Sequence, residues 1–448
     1  MAALLLPSTL SAETWTLNGK DYEVERLGEA VTFDGVTIYT VTLSGAAKQK
    51  LWYCVADLTK PGARVVTYNP ENIRTTGTTV PAMAQKLVDR GFDCRVGINA
   101  DLYSTYGPIG STISGGEIIK IAKTATAWRS IGIDNSDHTV HIGNVSVNFG
   151  AKLNGKQTYA PTYINVPRAT GEMILYTSRW GTNTATAVEN SLEVVLEPAE
   201  GIIHSDRPTT FTVKSSPVIN GGSLAIPAGC VVLSTNSAAH IKALQDVKPG
   251  DIYEVTPSKV SVSGASKGHA FVECTELIGG DPLLVVNSAR VSDGILSSMP
   301  NWDSRRPRTA IGTDATHTKL IFAVVDGDSK NSGVSAGMNA HEIADLMINL
   351  GCVDALNFDG GGSSCIWTKA CGKNPLNNPS DSNGPRAVRN GLFIVYDTTS
   401  GVIPATAVDN PDAPIEYFNL QGVKVDNPAG GLYIRRQGNQ SSIEIINN

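Results

Sequence analysis

The run Asn357-Phe-Asp359-Gly360-Gly361-Gly362-Ser363-Ser364 follows directly on an apolar segment, Ala355-Leu-Asn-Phe358. Three successive glycines let the backbone approach a ligand closely and aim its amides inward, a nest that suits an oxyanion or the hydroxyls of a sugar. Asp359 would stand at the mouth of the preceding strand, with the hydroxyls of Ser363 and Ser364 opposite. A glycine-rich loop by itself is more often a turn than a site. Its weight here comes from neighbours: Arg308-Thr309-Ala-Ile-Gly312 before it, Asp326 at the end of a second apolar segment, and Arg386 and Asn390 after it. Arginine is suited to bidentate contact with phosphate oxygens, although an isolated arginine is ordinarily a surface ion pair. Carboxylates are the usual suppliers of a nucleophile or an activated water at an anomeric carbon. The two residue types together suit expulsion of a phosphate from a sugar. A phosphate monoester has its second pKa at about 6, so it leaves with less acid help than a sugar alkoxide.

The same segments, with Asn99-Ala-Asp101-Leu-Tyr103, Gly107-Pro-Ile-Gly110, Gly115-Gly-Glu117, Leu175-Tyr-Thr-Ser-Arg-Trp-Gly181 and Gly279-Gly-Asp-Pro-Leu-Leu284 upstream, resemble in order the signature of the phosphodiester glycosidase, or uncovering-enzyme, family. The resemblance covers about Arg95 to Tyr396 and is strongest from Arg308 to Asn390. Members of that family include hydrolases that remove N-acetylglucosamine from a phosphodiester on mannose. The resemblance implies a glycosidase that hydrolyses the glycosidic bond of a sugar-1-phosphodiester and releases sugar and a phosphate monoester. It also implies catalytic carboxylates at Asp359 first, Asp326 second and Glu342 third. Substrate contacts are then expected from Asn99, Asp101, Arg308, Thr309, Gly360, Gly361, Ser363, Ser364, Arg386 and Asn390. Where the mammalian-type motif reads Asn-Gly-Gly-Phe, this chain has Asn99-Ala100-Asp101-Leu102, so Asp101 is expected to read a sugar hydroxyl or to meet a cation. A rival of another class is a catalytically silent carbohydrate- or phosphate-binding protein of the cell envelope. His341 and Ser363 do not make a hydrolase triad, because Ser363 lacks the Gly-x-Ser-x-Gly elbow.

The elements that must position these residues are legible in part. Leu320-Ile-Phe-Ala-Val-Val325 and Ala355-Leu-Asn-Phe358 read as apolar strands. Between them, Asn339 stands three residues before Glu342, apolar positions recur at Ile343, Leu346, Met347 and Leu350, and Gly351 follows. That is a capped helix with a C′ glycine, and its capping box gives Glu342 a structural reason to be there. Strand, helix, strand predicts a crossover with function at the carboxyl ends of the strands. Pro81 to Arg90 reads as a short helix closed by Gly91. The bursts around Val31–Leu43, Val194–Leu196 and Cys230–Leu233 are half-buried strands.

The expected fold is α+β: a mixed core with a mainly antiparallel sheet and a helical crossover, flanked by a β-rich N-terminal part and a small C-terminal β module. The parts are a signal-peptide remnant over 1–12, a β-rich segment over 13–80, a catalytic domain over 81–400, a linker over 401–414 and a module over 415–448. That last module resembles the C-terminal tails of many exported Bacteroidetes proteins, as a sorting or attachment device, or is a plain terminal hairpin. The apolar opening followed by small residues points to export, to the periplasm, cell surface or medium.

Length allows two or three domains. The net charge of −6, with no basic stretch, opposes nucleic-acid binding. No apolar run approaches the ~18 residues of a membrane span. Seven cysteines and seven histidines without paired spacing give no transition-metal site. No cofactor is expected; an Asp-rich loop could hold calcium or magnesium, but no loop has an EF-hand pattern. Cys365 and Cys371 either close a small loop or, with the rest, pack as free thiols.

Overall fold

A computed structural model describes residues 13–397 apart from 76, 124–127, 188–189, 264–273 and 299, together with 414–418, 424–425, 428–429, 431–437 and 440–446. The expected leader over 1–12 and all but the last residue of the expected linker lie outside the described residues.

Period-two alternation builds the main sheet. In the strand Lys319–Val325, Leu320, Phe322 and Val324 enter one core while Ile321, Ala323 and Val325 enter another. This strand lies between Gln49–Asp57 and Arg308–Thr313, and Arg308–Thr313 pairs in turn with Asp354–Asn357, all antiparallel. The N-terminal strands thus continue the sheet that carries the glycine loop.

Because both Lys319–Val325 and Asp354–Asn357 run antiparallel to the strand between them, they are parallel to each other, and the helix Ala340–Asn349 crosses over to join them. The crossover is the expected one, with a third strand inserted. Asn339 caps the helix through the Glu342 amide at 2.9 Å. At the other end Gly351 takes φ +88°, and the Gly351 and Cys352 amides reach the carbonyls of Ile348 and Met347. Ile343, Leu346 and Met347 bury the helix against the outer face of the sheet.

A second sheet of four strands, in the order Ile366–Thr368, Phe92–Asn99, Gly391–Asp397, Ala63–Tyr68, packs its Val96, Ile98, Leu392 and Ile394 against the inner face of the first. Its far side is covered by the helix Val80–Asp89, which is capped by Thr79 and opens with Pro81, as the sequence predicts. The layers run helix, sheet, sheet, helix. A third, curled sheet is built around the long antiparallel pair Thr139–Leu153 and Ile252–Ser263. It joins the shared core through Ile131, Ile133 and Ile278. Strand outweighs helix by 46% to 11%, so the fold is more heavily β than the expected α+β class. The described part of the C-terminal segment is a three-stranded antiparallel sheet, Ile415–Phe418, Gly431–Gln437 and Gln440–Ile446.

One buried acid pins the curled sheet to the four-stranded one. Glu276 accepts from the Thr67 amide at 2.9 Å, the Thr67 hydroxyl at 2.6 Å and the Gly115 amide at 2.7 Å. Burial pushes its pKa up to about 7, against the pull of those three bonds. The folded value lies above the ordinary one, so the contribution of this acid to stability is full at low pH and is lost as pH rises toward 7. Urea unfolding of the wild type and of Glu276→Gln should therefore show a stability difference that falls, to the disadvantage of the wild type, by about 3 kcal/mol between pH 4.5 and 8. A difference that stays flat over that range would place the proton elsewhere.

Candidate functional site

The two sheets open at one end, where Phe92–Asn99 and Asp354–Asn357 finish. Asn99 is fully buried there and bonds through both ends of its amide. Its Oδ1 accepts from Thr309 Oγ1 at 2.9 Å and from the Cys365 amide at 3.0 Å, while its Nδ2 donates to the Asp359 carbonyl at 2.7 Å. The Asp359 amide reaches the Ala100 carbonyl at 2.9 Å. Asn99 and Thr309 therefore hold the glycine turn from below.

The turn has the close approaches that demand glycine. Gly361 sits at φ +61°, and its amide bonds the Pro307 carbonyl at 3.0 Å. A Cβ on Gly360 would lie 2.8 Å from that same carbonyl. A Cβ on Gly362 would lie 2.0 Å from Asp381 Oδ1 and 2.3 Å from Arg386 Nη2. Arg386 is held by both oxygens of Asp381, at 2.8 and 2.9 Å, and its Nη1 reaches Ser363 Oγ at 3.4 Å. Asp359 accepts from the Gly360 amide at 2.9 Å, and the residue is half-buried. Burial pushes its pKa up, while the Ser363 hydroxyl, the Arg386 charge and the Gly360 amide pull it down. Asp359, Ser363 and Arg386 thus form one connected group.

Asn390 joins them from just before the next strand: its Oδ1 accepts from the Asp101 amide at 3.0 Å, and its buried Nδ2 has no partner among the described residues. The same holds of the buried Ser364 Oγ. Arg389, not singled out in the sequence, lies 5.7 Å from the Tyr103 ring centroid with Nε and Nη1 buried and, among the described residues, unpartnered. Its position in Arg386-x-x-Arg389, beside the site asparagine, was the available sign.

Other expected residues are occupied elsewhere. Arg308 was read as a phosphate clamp, but it is almost fully buried. It donates to the Met338 carbonyl at 2.8 Å, the Asn301 carbonyl at 2.7 Å and the Ser304 carbonyl at 2.9 Å, so it fastens main chain. Glu342 serves its capping box, Arg305 and the Tyr22 hydroxyl, with both oxygens taken. Asp326 accepts from Asn377 Nδ2 at 3.0 Å and from the Asn378 amide at 3.1 Å; Asn377 also donates to the Ser364 carbonyl. It supports the glycine turn from behind, with burial pushing its pKa up to about 6.

Asp101, read as a sugar-facing wall, is wholly buried. Its oxygens accept from the Gly110 amide at 2.7 Å and from Trp128 Nε1 at 2.9 Å, and burial raises its pKa to about 7. All seven cysteines are free. His341 bonds Ser297 on the surface of its helix, apart from Ser363. Among the described residues no three His, Cys, Asp or Glu side chains gather as a metal cluster, and no helix is long and apolar enough to cross a membrane.

The fit around Gly362 makes a direct test. Gly362→Ala should force Arg386 off Asp381 and cut any turnover tenfold or more, while the melting temperature moves by only a few degrees. Unchanged turnover would detach the Arg386–Asp381 pair from the site.

Residues 190–395 match the phosphodiester glycosidase family model. An SPbeta prophage-derived uncharacterized protein of Bacillus subtilis (strain 168), YomE, is 38% identical over 103 residues; the match spans 22% of this chain and 15% of that relative's length. Two solved structures share the fold. One is a hypothetical protein from Synechocystis, with a TM-score of 0.62 at 18% identity over 84% of this chain and 68% of its own. The other is a protein of Burkholderia pseudomallei K96243 described as a candidate exported protein, with a TM-score of 0.61 at 15% identity over 86% of this chain and all of its own. The zebrafish N-acetylglucosamine-1-phosphodiester alpha-N-acetylglucosaminidase catalytic domain aligns over 83% of this chain and 87% of its own at 15% identity. Its TM-score of 0.36 is too low to compare the two sites. The family resemblance carried by the motifs is thus shown for residues 190–395, the stretch of this chain that matches the phosphodiester glycosidases.

Proposed function

We propose that the protein hydrolyses the bond between the anomeric carbon of a sugar and a phosphodiester oxygen. The observation that carries this reading is the connected group Asp359–Ser363–Arg386, set in a glycine turn inside the segment that matches the family. Asp359 faces the anomeric carbon, as nucleophile or as base for the attacking water. The oxygen of water ends on the sugar, the bond from C1 to the phosphate oxygen breaks, and its electron pair leaves with the phosphate monoester. Arg386 and Arg389 stabilise the charge that grows on that phosphate as the bond lengthens. Ser364 and Asn390 supply the unpartnered hydroxyl and amide that orient the substrate. Asp326, Asp101, Asn99 and Thr309 act through others, by fixing the turn and its surroundings. Export is part of this reading, in line with the apolar opening of the chain.

A panel of α- and β-linked alkyl and aryl sugar-1-phosphodiesters tests the proposal, with release of free sugar and phosphate monoester as the expected result. Tight binding without turnover on every one of them would instead leave a carbohydrate- or phosphate-binding protein. On the best substrate, Asp359→Asn should lower kcat by about 10³-fold or more, and Arg386→Ala by about 10²–10³-fold, with folding intact.

The pH profile has a definite sign. Only ionised Asp359 is active, so the rate falls as pH drops through its raised pKa, and the acid limb of kcat/KM should lie above the ordinary carboxylate range. Arg386→Ala removes a charge that favours the anion, so the limb should move further up. A limb that moves down, or stays fixed, would separate the two groups.

A further inference from the structure

The hairpin of Tyr103–Ser104 and Gly107–Pro108 stands between two guanidinium groups that have no ion pair among the described residues. On the inner side is Arg389, over Tyr103 and next to the hydrolytic group. On the outer side the Arg74 guanidinium lies over Trp180, 4.3 Å from the ring centroid, and its buried Nε has no partner among the described residues. Tyr106 stacks almost parallel on the same indole, at 6.2 Å between centroids and 9° between planes, and is 46% exposed.

This outer group is built to stay in place. Trp180 is buried, and its Nε1 donates to the Thr184 carbonyl at 3.1 Å. The Ile73 amide bonds the Arg179 carbonyl at 2.9 Å, which sets Arg74 beside Trp180. Lys120 Nζ binds the carbonyls of Tyr106 and Pro108, and Gly107 packs so closely on Ile73 that a Cβ would lie 2.9 Å from its carbonyl. The neighbouring acid, Glu117, is taken by Arg179 at 2.8 Å and is not available to Arg74.

An arginine held over an indole without an ion pair is a receptor for an anion, and an exposed tyrosine face beside it suits a sugar ring. Tyr103 and Tyr106 lie three residues apart on one hairpin, so the two guanidinium groups flank the same short element. Arg386 is paired with Asp381, whereas neither Arg389 nor Arg74 has an ion pair among the described residues. We infer that Arg74, Trp180 and Tyr106 form a second subsite, which binds a further phosphate on the leaving half of the substrate, so that the substrate class is an oligomeric sugar phosphate. The inference rests on Asp359 as the hydrolytic centre only in calling this half the leaving one.

Calorimetric binding of glucose 6-phosphate and of glucose 1,6-bisphosphate to the full chain tests it without turnover. The wild type should bind the bisphosphate at least tenfold more tightly. Arg74→Met, which keeps the stacked aliphatic length, should abolish that preference and leave monophosphate affinity and melting temperature unchanged; Arg74→Lys should retain part of the preference. Equal binding of the two ligands by the wild type, or a preference that survives Arg74→Met, overturns the subsite. If no sugar phosphodiester is turned over and yet the preference depends on Arg74, the subsite stands and the hydrolytic reading falls.

Discussion

The buried amide of Asn99 holds the site together. It links the last residue of one strand, a hydroxyl from a strand of the facing sheet and the two ends of the glycine turn. A fully buried carboxamide bonded at both its oxygen and its nitrogen cannot rotate without stranding at least one of those groups, at a cost of about 1–3 kcal/mol each. The orientation of Asp359 is thereby inherited from the docking of two sheets and does not depend on the loop alone.

The residues around this point separate into two kinds that sequence presents alike. Arg308, Glu342, Asp326 and Asp101 are charged residues in the motifs, and each is buried with its polar atoms engaged by the protein. Asp359, Arg386 and Arg389 are charged residues in the same stretches, and none of them is fully buried. Burying a charge is costly unless it is paired, so a charged residue in such a segment can serve the support of a site as readily as its chemistry.

Much of the frame was legible. The capping box at Asn339 and Glu342, the C′ glycine and the apolar strands on either side fixed the crossover, because all of those cues are local. The Asp359 turn was legible for the same reason. What local cues could not give was the strand Arg308–Thr313 inserted between the parallel pair, or the occupation of the Arg308 guanidinium by carbonyls from 301, 304 and 338. Pairing across a sheet depends on partners distant in sequence. The aromatic hairpin at Tyr103 to Pro108 was likewise hidden, since its meaning depends on Trp180 and Arg389, which reach it from other elements.

That long reach bears on the order in which the molecule acquires its shape. The bonds that define the glycine turn join residues 210, 260 and 266 positions apart, and the bond from Asp101 to Asn390 spans 289. Contacts so remote close only after large loops have been brought together, and chains dominated by such contacts fold slowly. The helices, with their local caps, can form early; the turn that carries Asp359 can set only when residues from both ends of this region have met. A nascent chain would therefore lack the completed turn until the strand Gly391–Asp397 has been added, so that the candidate site arrives with the end of the core and not by degrees.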